Sequence, residues 1–68
     1  MKIKIKDEYI KLGQLLKLAG LVSSGIEAKL VIQEGEVKLN GQVEERRGKK
    51  VFPGDKVECM GEIIELEG

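Results

Sequence analysis

The sequence predicts an α+β fold in which two packed helices precede a small, mostly antiparallel sheet, with one added strand at the N-terminus. Three observations predict this order. Apolar residues recur with helical spacing before Gly20, a helix-start motif follows at Ser24, and apolar and polar residues alternate from Val37 onward. Because 68 residues support only one thin core, a single domain over residues 1–68 is expected.

The N-terminal segment Lys2–Lys6 alternates lysine with isoleucine, which is typical of a strand with Ile3 and Ile5 facing inward. Its lysines are expected to lie across from the glutamates of the last strand. Such cross-strand pairs stabilise a sheet by about 0.2–1 kcal/mol each. On this hypothesis the lysines of the first strand are structural and belong to no binding surface.

The first helix is predicted to end at Gly20, and a short apolar link then makes the two helices close neighbours. Its inward stripe consists of residues spaced three and four apart: Leu12, Leu15, Leu16 and Ala19. Leu18 is expected to widen this stripe.

Ser24 and Glu27 have the spacing of a capping box, in which the serine hydroxyl accepts from the Glu27 N–H and the Glu27 carboxylate accepts from the Ser24 N–H. The second helix is predicted over residues 25–34, and Gly35 follows its C-cap because glycine adopts positive φ without strain. Its inward stripe, with Ile26 and Leu30 beside it, consists of Ala28, Val31 and Ile32.

Asn40-Gly41 is a strong hairpin-turn motif. A two-residue loop there pairs Leu39 with Gln42 and leaves Val43 on the solvent side. A three-residue loop with a bulge pairs Leu39 with Val43 and restores the alternation of apolar residues, so the bulged form is favoured.

Residues 44–50 are polar and are predicted to form an exposed loop or edge strand, after which Val51 and Phe52 enter the core. Pro53-Gly54 fits a type II turn, and Met60-Gly61 turns the chain between the last two strands. The inward residues of these strands are Val57, Cys59, Ile64 and Leu66.

Several functional classes are disfavoured. The chain has no histidine and a single cysteine, Cys59, which is expected to be a small buried apolar side chain, so neither a metal nor another cofactor is expected. No Ser or Cys stands beside a candidate base, so no enzymatic activity or small-molecule substrate is expected. No 18-residue apolar run and no signal-peptide pattern is present, and a small domain without disulfides fits the reducing cytoplasm rather than a membrane.

The net charge is zero, but the charges are segregated. Residues 9–50 carry eight basic and five acidic side chains, whereas residues 51–68 carry one basic and five acidic. A phosphate backbone responds to the local basic patch rather than to the total. The segment Arg46-Arg47-Gly48-Lys49-Lys50 concentrates four cations that suit such a backbone. Composition alone equally allows a solvated loop in which Glu44 and Glu45 pair with the arginines.

The start of the second helix is a further candidate phosphate site, because its free N–H groups and positive dipole end attract anions. For Ser24 taken alone, simple helix capping is the favoured interpretation. Lys29 alone can be merely solubilising, and the lysines of the first helix and the hairpin are individually typical surface residues. The candidate nucleic-acid-binding residues are Lys11, Gln14, Lys17, Ser24, Gly25, Lys29, Lys38, Asn40, Arg46, Arg47, Lys49 and Lys50.

Over residues 11–59 the chain resembles the S4-type RNA-binding domain, also called the αL motif. The resemblance rests on Gly20-Leu21-Val22-Ser23-Ser24, Glu27-Ala28-Lys29, Leu30 to Ile32, Gly35-Glu36-Val37-Lys38-Leu39-Asn40-Gly41 and Pro53-Gly54-Asp55-Lys56-Val57. The length and the Leu-Leu-Lys-Leu segment followed by Ser-Gly look most like the small ribosome-associated bacterial members. The resemblance implies binding to RNA, in particular ribosomal RNA or a ribosomal particle. The chain is expected to be a monomer.

Three positions depart from the family pattern. Gly25 stands where many members have arginine, Ile26 where many have a second serine, and Gly13 where an acidic residue is common. These departures imply the loss of one phosphate contact. Tyr9 and Phe52 are the only aromatic residues, so a stacking platform for single strands is disfavoured relative to recognition of RNA shape and phosphate.

Two alternatives belong to other functional classes. A ubiquitin-like sulfur carrier would have a similar length and a C-terminal glycine such as Gly68, although the usual glycine pair is missing. A protein–protein interaction module would use the acidic final strand.

Overall fold

The computed structural model describes residues 1–68 and contains two helices and seven short strands. The helices are α1 (Leu12–Leu18) and α2 (Gly25–Gln33). The strands are β1 (Lys2–Lys4), β2 (Ile10–Lys11), β3 (Val37–Leu39), β4 (Gln42–Val43), β5 (Lys50–Val51), β6 (Lys56–Cys59) and β7 (Glu62–Glu67). The predicted α+β class, with two helices and an added N-terminal strand, is confirmed.

Five strands form one sheet in the order β1-β7-β6-β3-β4, and β2 pairs with β5 in a separate two-stranded sheet. All pairs are antiparallel except β1 with β7. Lys2 lies opposite Glu65 and Lys4 opposite Glu67, which is the predicted register. The ion pair on Glu65 nevertheless comes from Lys56, with Nζ 3.8 Å from Oε1.

The core lies between the helices and one face of the large sheet, and neither helix is long or apolar enough to cross a membrane. Its thirteen buried apolar residues are Leu12, Leu15, Leu16, Val22, Ala28, Val31, Ile32, Val37, Val51, Val57, Cys59, Ile64 and Leu66. The prediction for Cys59 is confirmed, and burial raises the pKa of its thiol. Leu18, Ile26 and Leu30 are exposed, Ile26 by 74%, because each short helix buries only one stripe. The predictions that Leu18 widens the inward stripe and that Ile26 and Leu30 flank it were wrong.

The start of α2 confirms one half of the predicted capping box. The Ser24 hydroxyl accepts from the Glu27 N–H at 3.1 Å. The Glu27 carboxylate accepts from the N–H of Ser23 at 3.2 Å rather than from Ser24, because the extended backbone at Ser24 (φ −150°, ψ 166°) brings the preceding N–H within reach. At the other end, Gly35 has φ +77° as predicted, although the helix proper stops at Gln33 with Glu34 as its C-cap.

The β3–β4 hairpin has a two-residue loop, so the favoured bulge was wrong. Lys38 pairs with Val43 and Leu39 with Gln42. Asn40 and Gly41 both have positive φ, 51° and 87°, as a type I′ turn requires. The match between this turn and the twist of the strands outweighs the apolar alternation, and Val43 is left 52% exposed on an edge strand.

Phe52 was predicted in the core but is 42% exposed, because Val51, paired with Ile10, fills the interior position instead. The Phe52 ring lies against Tyr9, with centroids 5.8 Å apart. The predicted turn after it is present: Gly54 has φ +99°, and the Asp55 N–H donates to the Phe52 carbonyl at 2.9 Å.

Candidate nucleic-acid interface

The basic loop, residues 44–50, is attached to the start of α1 through its backbone. The Leu12 N–H donates to the Lys49 carbonyl at 2.9 Å, and the Gly13 N–H donates to the Arg47 carbonyl at 3.0 Å. Lys11, the N-cap of α1, provides no side-chain cap, so the loop carbonyls satisfy these first-turn donors instead. The start of α1 is therefore not free for an anion, whereas the loop side chains Arg47 and Lys49 form no ion pair within the protein.

The start of α2 differs because two of its donors are open. The N–H groups of Gly25 and Ile26 have no hydrogen-bond acceptor within the protein. Ser24 is already engaged as the cap, and the Glu27 carboxylate is held on the Ser23 N–H. Open N–H groups at the positive end of a helix favour a negatively charged oxygen.

A cavity of about 250 Å³ lies between α1, the start of α2 and the basic loop, and we name it the helix groove. It is lined by three cations and no carboxylate. Four of its eight residues are glycine or alanine, so no large side chain obstructs a polynucleotide backbone. The lining residues are Lys11, Gly13, Gln14, Lys17, Gly25, Ala28, Arg47 and Gly48.

Gly13 explains how Arg47 comes to lie in the helix groove. A Cβ atom at position 13 would be 3.5 Å from the Arg47 Cβ and 3.8 Å from the Ala28 Cβ, so α1, α2 and the loop meet there at van der Waals distance. Gly13 and Gly25, two of the three departures from the family pattern, both line this groove. The acidic residue common at position 13 and the arginine common at position 25 are both absent here, so neither alters the charge of the groove.

A second cavity, of about 590 Å³, lies between the β3–β4 hairpin, the basic loop and the turn after Phe52, and we name it the hairpin cavity. It combines three cations with two carboxylates and three apolar residues. The lining residues are Leu39, Asn40, Gln42, Val43, Glu44, Arg46, Lys49, Lys50, Phe52 and Asp55.

Arg46 is paired within the protein. Its Nε lies 3.0 Å from Glu44 Oε2, and its backbone N–H donates to the same oxygen at 3.1 Å. The side-chain hydrogen bond from Arg46 lowers the pKa of the Glu44 carboxyl, and the same bond raises the pKa of Arg46. The pair is therefore fully charged at neutral pH, and the stability it contributes is lost only as the pH falls through the lowered pKa of Glu44. Arg47 has no carboxylate within ion-pair distance.

The structure thus divides the twelve candidate residues into three groups. Lys11, Gln14, Lys17, Gly25 and Arg47 meet in the helix groove. Asn40, Arg46, Lys49 and Lys50 line the hairpin cavity, and Ser24, Lys29 and Lys38 line neither.

Asn40 has a structural role that the sequence did not show. Its Oδ1 accepts from the Lys56 N–H at 2.9 Å, and its Nδ2 donates to Asp55 Oδ1 at 3.1 Å. The side chain therefore ties the hairpin to the following turn. Sequence reasoning also missed Gly13, Gly48 and Phe52 as lining residues, since no periodic pattern marks a position where a loop meets a helix.

Both alternative functions depend on the last strand and the residue after it. β7 extends to Glu67, and Gly68 lies against Pro53, where an added Cβ would be 3.1 Å from Pro53 Cγ. A carrier would need a free tail here. β7 also lies between β1 and β6, so its backbone is not an open edge for a partner strand. No group of three His, Cys, Asp or Glu residues could hold a metal ion.

Comparison with known proteins gives consistent matches. The family model described as "S4 domain" matches residues 3–67. The chain is 48% identical over 59 residues to the probable ribosome maturation protein RlbA of Bacillus subtilis (strain 168), covering 87% of this chain and 83% of that one. It is 39% identical over 61 residues to the putative RNA-binding protein YbcJ of Escherichia coli (strain K12), covering 90% and 87%.

The solution structure of E. coli YbcJ, described as revealing an αL motif involved in RNA binding, superposes with a TM-score of 0.75 at 35% identity. It covers 98% of this chain and 86% of YbcJ. Two helices on a mostly antiparallel sheet, with a basic groove beside the start of the second helix, define a small domain of the αL type. The chain belongs to the S4 domain family, as the sequence resemblance implied.

Proposed function

We propose that this chain binds structured RNA through phosphate contacts in the helix groove. The observation that carries the proposal is the placement of Lys11, Lys17 and Arg47, with no carboxylate, beside the open N–H groups at the start of α2. The arginine guanidinium can bind a phosphate through two parallel hydrogen bonds, while the lysines act as point charges. YbcJ, by its name an RNA-binding protein, supports the same class of partner.

The other candidate residues extend this site. Gln14 lies in the groove as a neutral hydrogen-bonding group, and Ser24 and Lys29 are each next in the chain to a groove residue. Arg46, Lys49 and Lys50 contribute from the hairpin cavity, and Lys38 and Asn40 from the hairpin itself. Because the relative RlbA is named a ribosome maturation protein, we propose ribosomal RNA or a ribosomal particle as the partner.

The test is a salt titration of RNA affinity for three single variants. Arg47→Ala should weaken binding of a structured RNA several-fold and reduce the slope of log affinity against log salt by about 0.7–0.9, because one phosphate contact is lost. Arg46→Ala should have a smaller effect, since Glu44 already compensates its charge. Lys4→Ala, which removes a lysine of β1 outside both cavities, is the matched control and should change neither quantity. Equal slopes for all four proteins would contradict the proposal.

The identity of the RNA is tested separately. Ultraviolet crosslinking in cells, followed by sequencing of the attached RNA, should recover ribosomal RNA in excess over its background abundance. Arg47→Ala expressed at the same level should recover less of it. Enrichment of other RNA classes alone would contradict the ribosomal partner. The phosphate contacts would still be tested by the salt titration.

A further inference from the structure

Phe52 is an aromatic ring fixed at the wall of an open cavity. Its backbone N–H donates to Asp55 Oδ2 at 2.8 Å, which holds the residue at the start of the turn. Its ring meets Tyr9 with a tilt of 48°, and the Lys50 Nζ lies 4.7 Å from the centre of the Tyr9 ring. Because Tyr9 supports the ring while 42% of the residue stays exposed, Phe52 offers a preformed apolar surface that nothing in the chain covers.

The hairpin cavity has one more cation than it has carboxylates. Both carboxylates are engaged: Asp55 accepts from the Phe52 N–H and from Asn40, and Glu44 accepts from Arg46. Lys49 and Lys50 have no carboxylate within ion-pair distance. The cavity therefore presents positive charge beside an apolar wall, from Lys49 and from Lys50, whose ammonium also lies over the Tyr9 ring.

This combination matches the chemistry of one nucleotide, which has a planar base and an anionic phosphate. The cavity volume of about 590 Å³ lies within the roughly 300–1,000 Å³ typical of small-ligand sites. The helix groove has Ala28 as its only apolar lining residue and so suits a phosphate backbone rather than a base. The basic loop contributes to both, through Arg47 to the groove and through Lys49 and Lys50 to the cavity.

From this geometry we infer that the hairpin cavity binds one unpaired nucleotide of the RNA held in the helix groove. The base stacks on Phe52, and the adjoining phosphate contacts Lys49 and Lys50. The inference rests on the proposed function and adds base contact to it at a single position. The inference gives Phe52 a role in binding, whereas the sequence predicted that Phe52 is buried in the core.

The test uses an RNA hairpin with a short uridine overhang and the same hairpin with an abasic overhang, which carry equal numbers of phosphates. The wild-type protein should bind the uridine form about tenfold more tightly, within the range that loss of one base–aromatic stack produces. Phe52→Ala should bind both forms with the affinity of wild type for the abasic one, and its salt slope should not change. Phe52→Tyr, which keeps the ring, should retain the preference.

Ile63→Ala is the matched control, because Ile63 is 50% exposed but lines neither cavity. It should leave the preference for the uridine overhang intact. Equal binding of the two overhangs by wild type, or a preference that survives in Phe52→Ala, would overturn the inference.

A measurement without substitution covers the case in which Phe52→Ala does not fold. An overhang containing 5-iodouridine should crosslink to wild-type protein at Phe52 or Tyr9, and crosslinks confined to other peptides would refute the assignment. The salt titration of Arg47→Ala keeps the two proposals apart. If Arg47→Ala shows the expected reduction in salt slope but wild type has no preference for the uridine overhang, only the nucleotide site is refuted. If wild type binds neither hairpin, both the nucleotide site and the proposed function are refuted.

Discussion

Arg46 and Arg47 are neighbours in the chain, yet they have different electrostatic surroundings. Arg46 is held by Glu44 two residues before it, whereas Arg47 lies beside Gly13 in a groove without carboxylates. The backbone bond between the Gly13 N–H and the Arg47 carbonyl places the second arginine there. Under the proposed function, Arg47 should therefore contribute more to phosphate binding than Arg46.

The Ser24 hydroxyl caps α2, so its removal should destabilise the protein. Ser24→Ala should lower the free energy of unfolding by about 1 kcal/mol, because the Glu27 N–H loses its acceptor. Ser23→Ala is the matched control, since the Ser23 side chain makes no hydrogen bond and only its backbone N–H is engaged. Urea denaturation followed by circular dichroism measures both variants. An equal loss in the two would show that the hydroxyl of Ser24 is not the cap.

At the scale of elements, both helices end in the same way. At α1 the Gly20 N–H donates to the Lys17 carbonyl at 3.0 Å and the Leu21 N–H to the Leu16 carbonyl at 3.1 Å. This is the pair of bonds of a Schellman motif, and it requires the positive φ of +76° at Gly20. The glycine directs the chain into the short link before α2 and so sets the packing of the helices that form the groove.

Gly20→Ala should therefore lower the free energy of unfolding by roughly 1–2 kcal/mol, because alanine is strained in the left-handed region. Gly48→Ala makes the same chemical change where φ is not positive, and no atom lies within 4 Å of an added Cβ at either position. It should leave stability unchanged or slightly raised. Thermal unfolding compared between the two variants tests this, and similar losses would contradict the role of backbone conformation.

At the scale of the whole molecule, a thin core supports the walls of both cavities. Thirteen apolar residues make up its fully buried part, and a chain of 68 residues has a free energy of unfolding of roughly 3–10 kcal/mol. The two helices, the large sheet and Val51, which follows the basic loop, all contribute side chains to this one core. Loss of a single buried side chain should consequently affect the groove and the hairpin cavity together.

Ile32→Ala should lower the free energy of unfolding by about 2–5 kcal/mol, because a fully buried side chain is replaced by a void. Ile26→Ala is the same change on the same helix, at a residue 74% exposed, and should stay within about 0.5 kcal/mol of wild type. Urea midpoints with constant m-values measure the difference. Equal destabilisation by both variants would contradict the assignment of the buried stripe.

Features that depend on a few adjacent residues could be predicted from the amino-acid sequence. The serine cap, the glycines after each helix, the turn at Pro53-Gly54 and the alternation in the last strands were predicted correctly, and at Asn40-Gly41 the position of the turn was correct but its favoured bulged form was not. Each follows from local hydrogen bonding or from a φ value that one residue type adopts most readily. The motifs formed from these features also identified the S4 family before the fold was known.

Which side chains are covered, and which cations lie together, depends on the packing of the whole chain. Of Val51 and Phe52, both predicted in the core, only Val51 is buried. Val43 faces solvent on an edge strand, and the basic loop lines two cavities. These outcomes depend on neighbours distant in the chain, such as Gly13 against Arg47 and Tyr9 against Phe52. Because burial and charge pairing depend on every element that packs around a residue, a local pattern could not predict them.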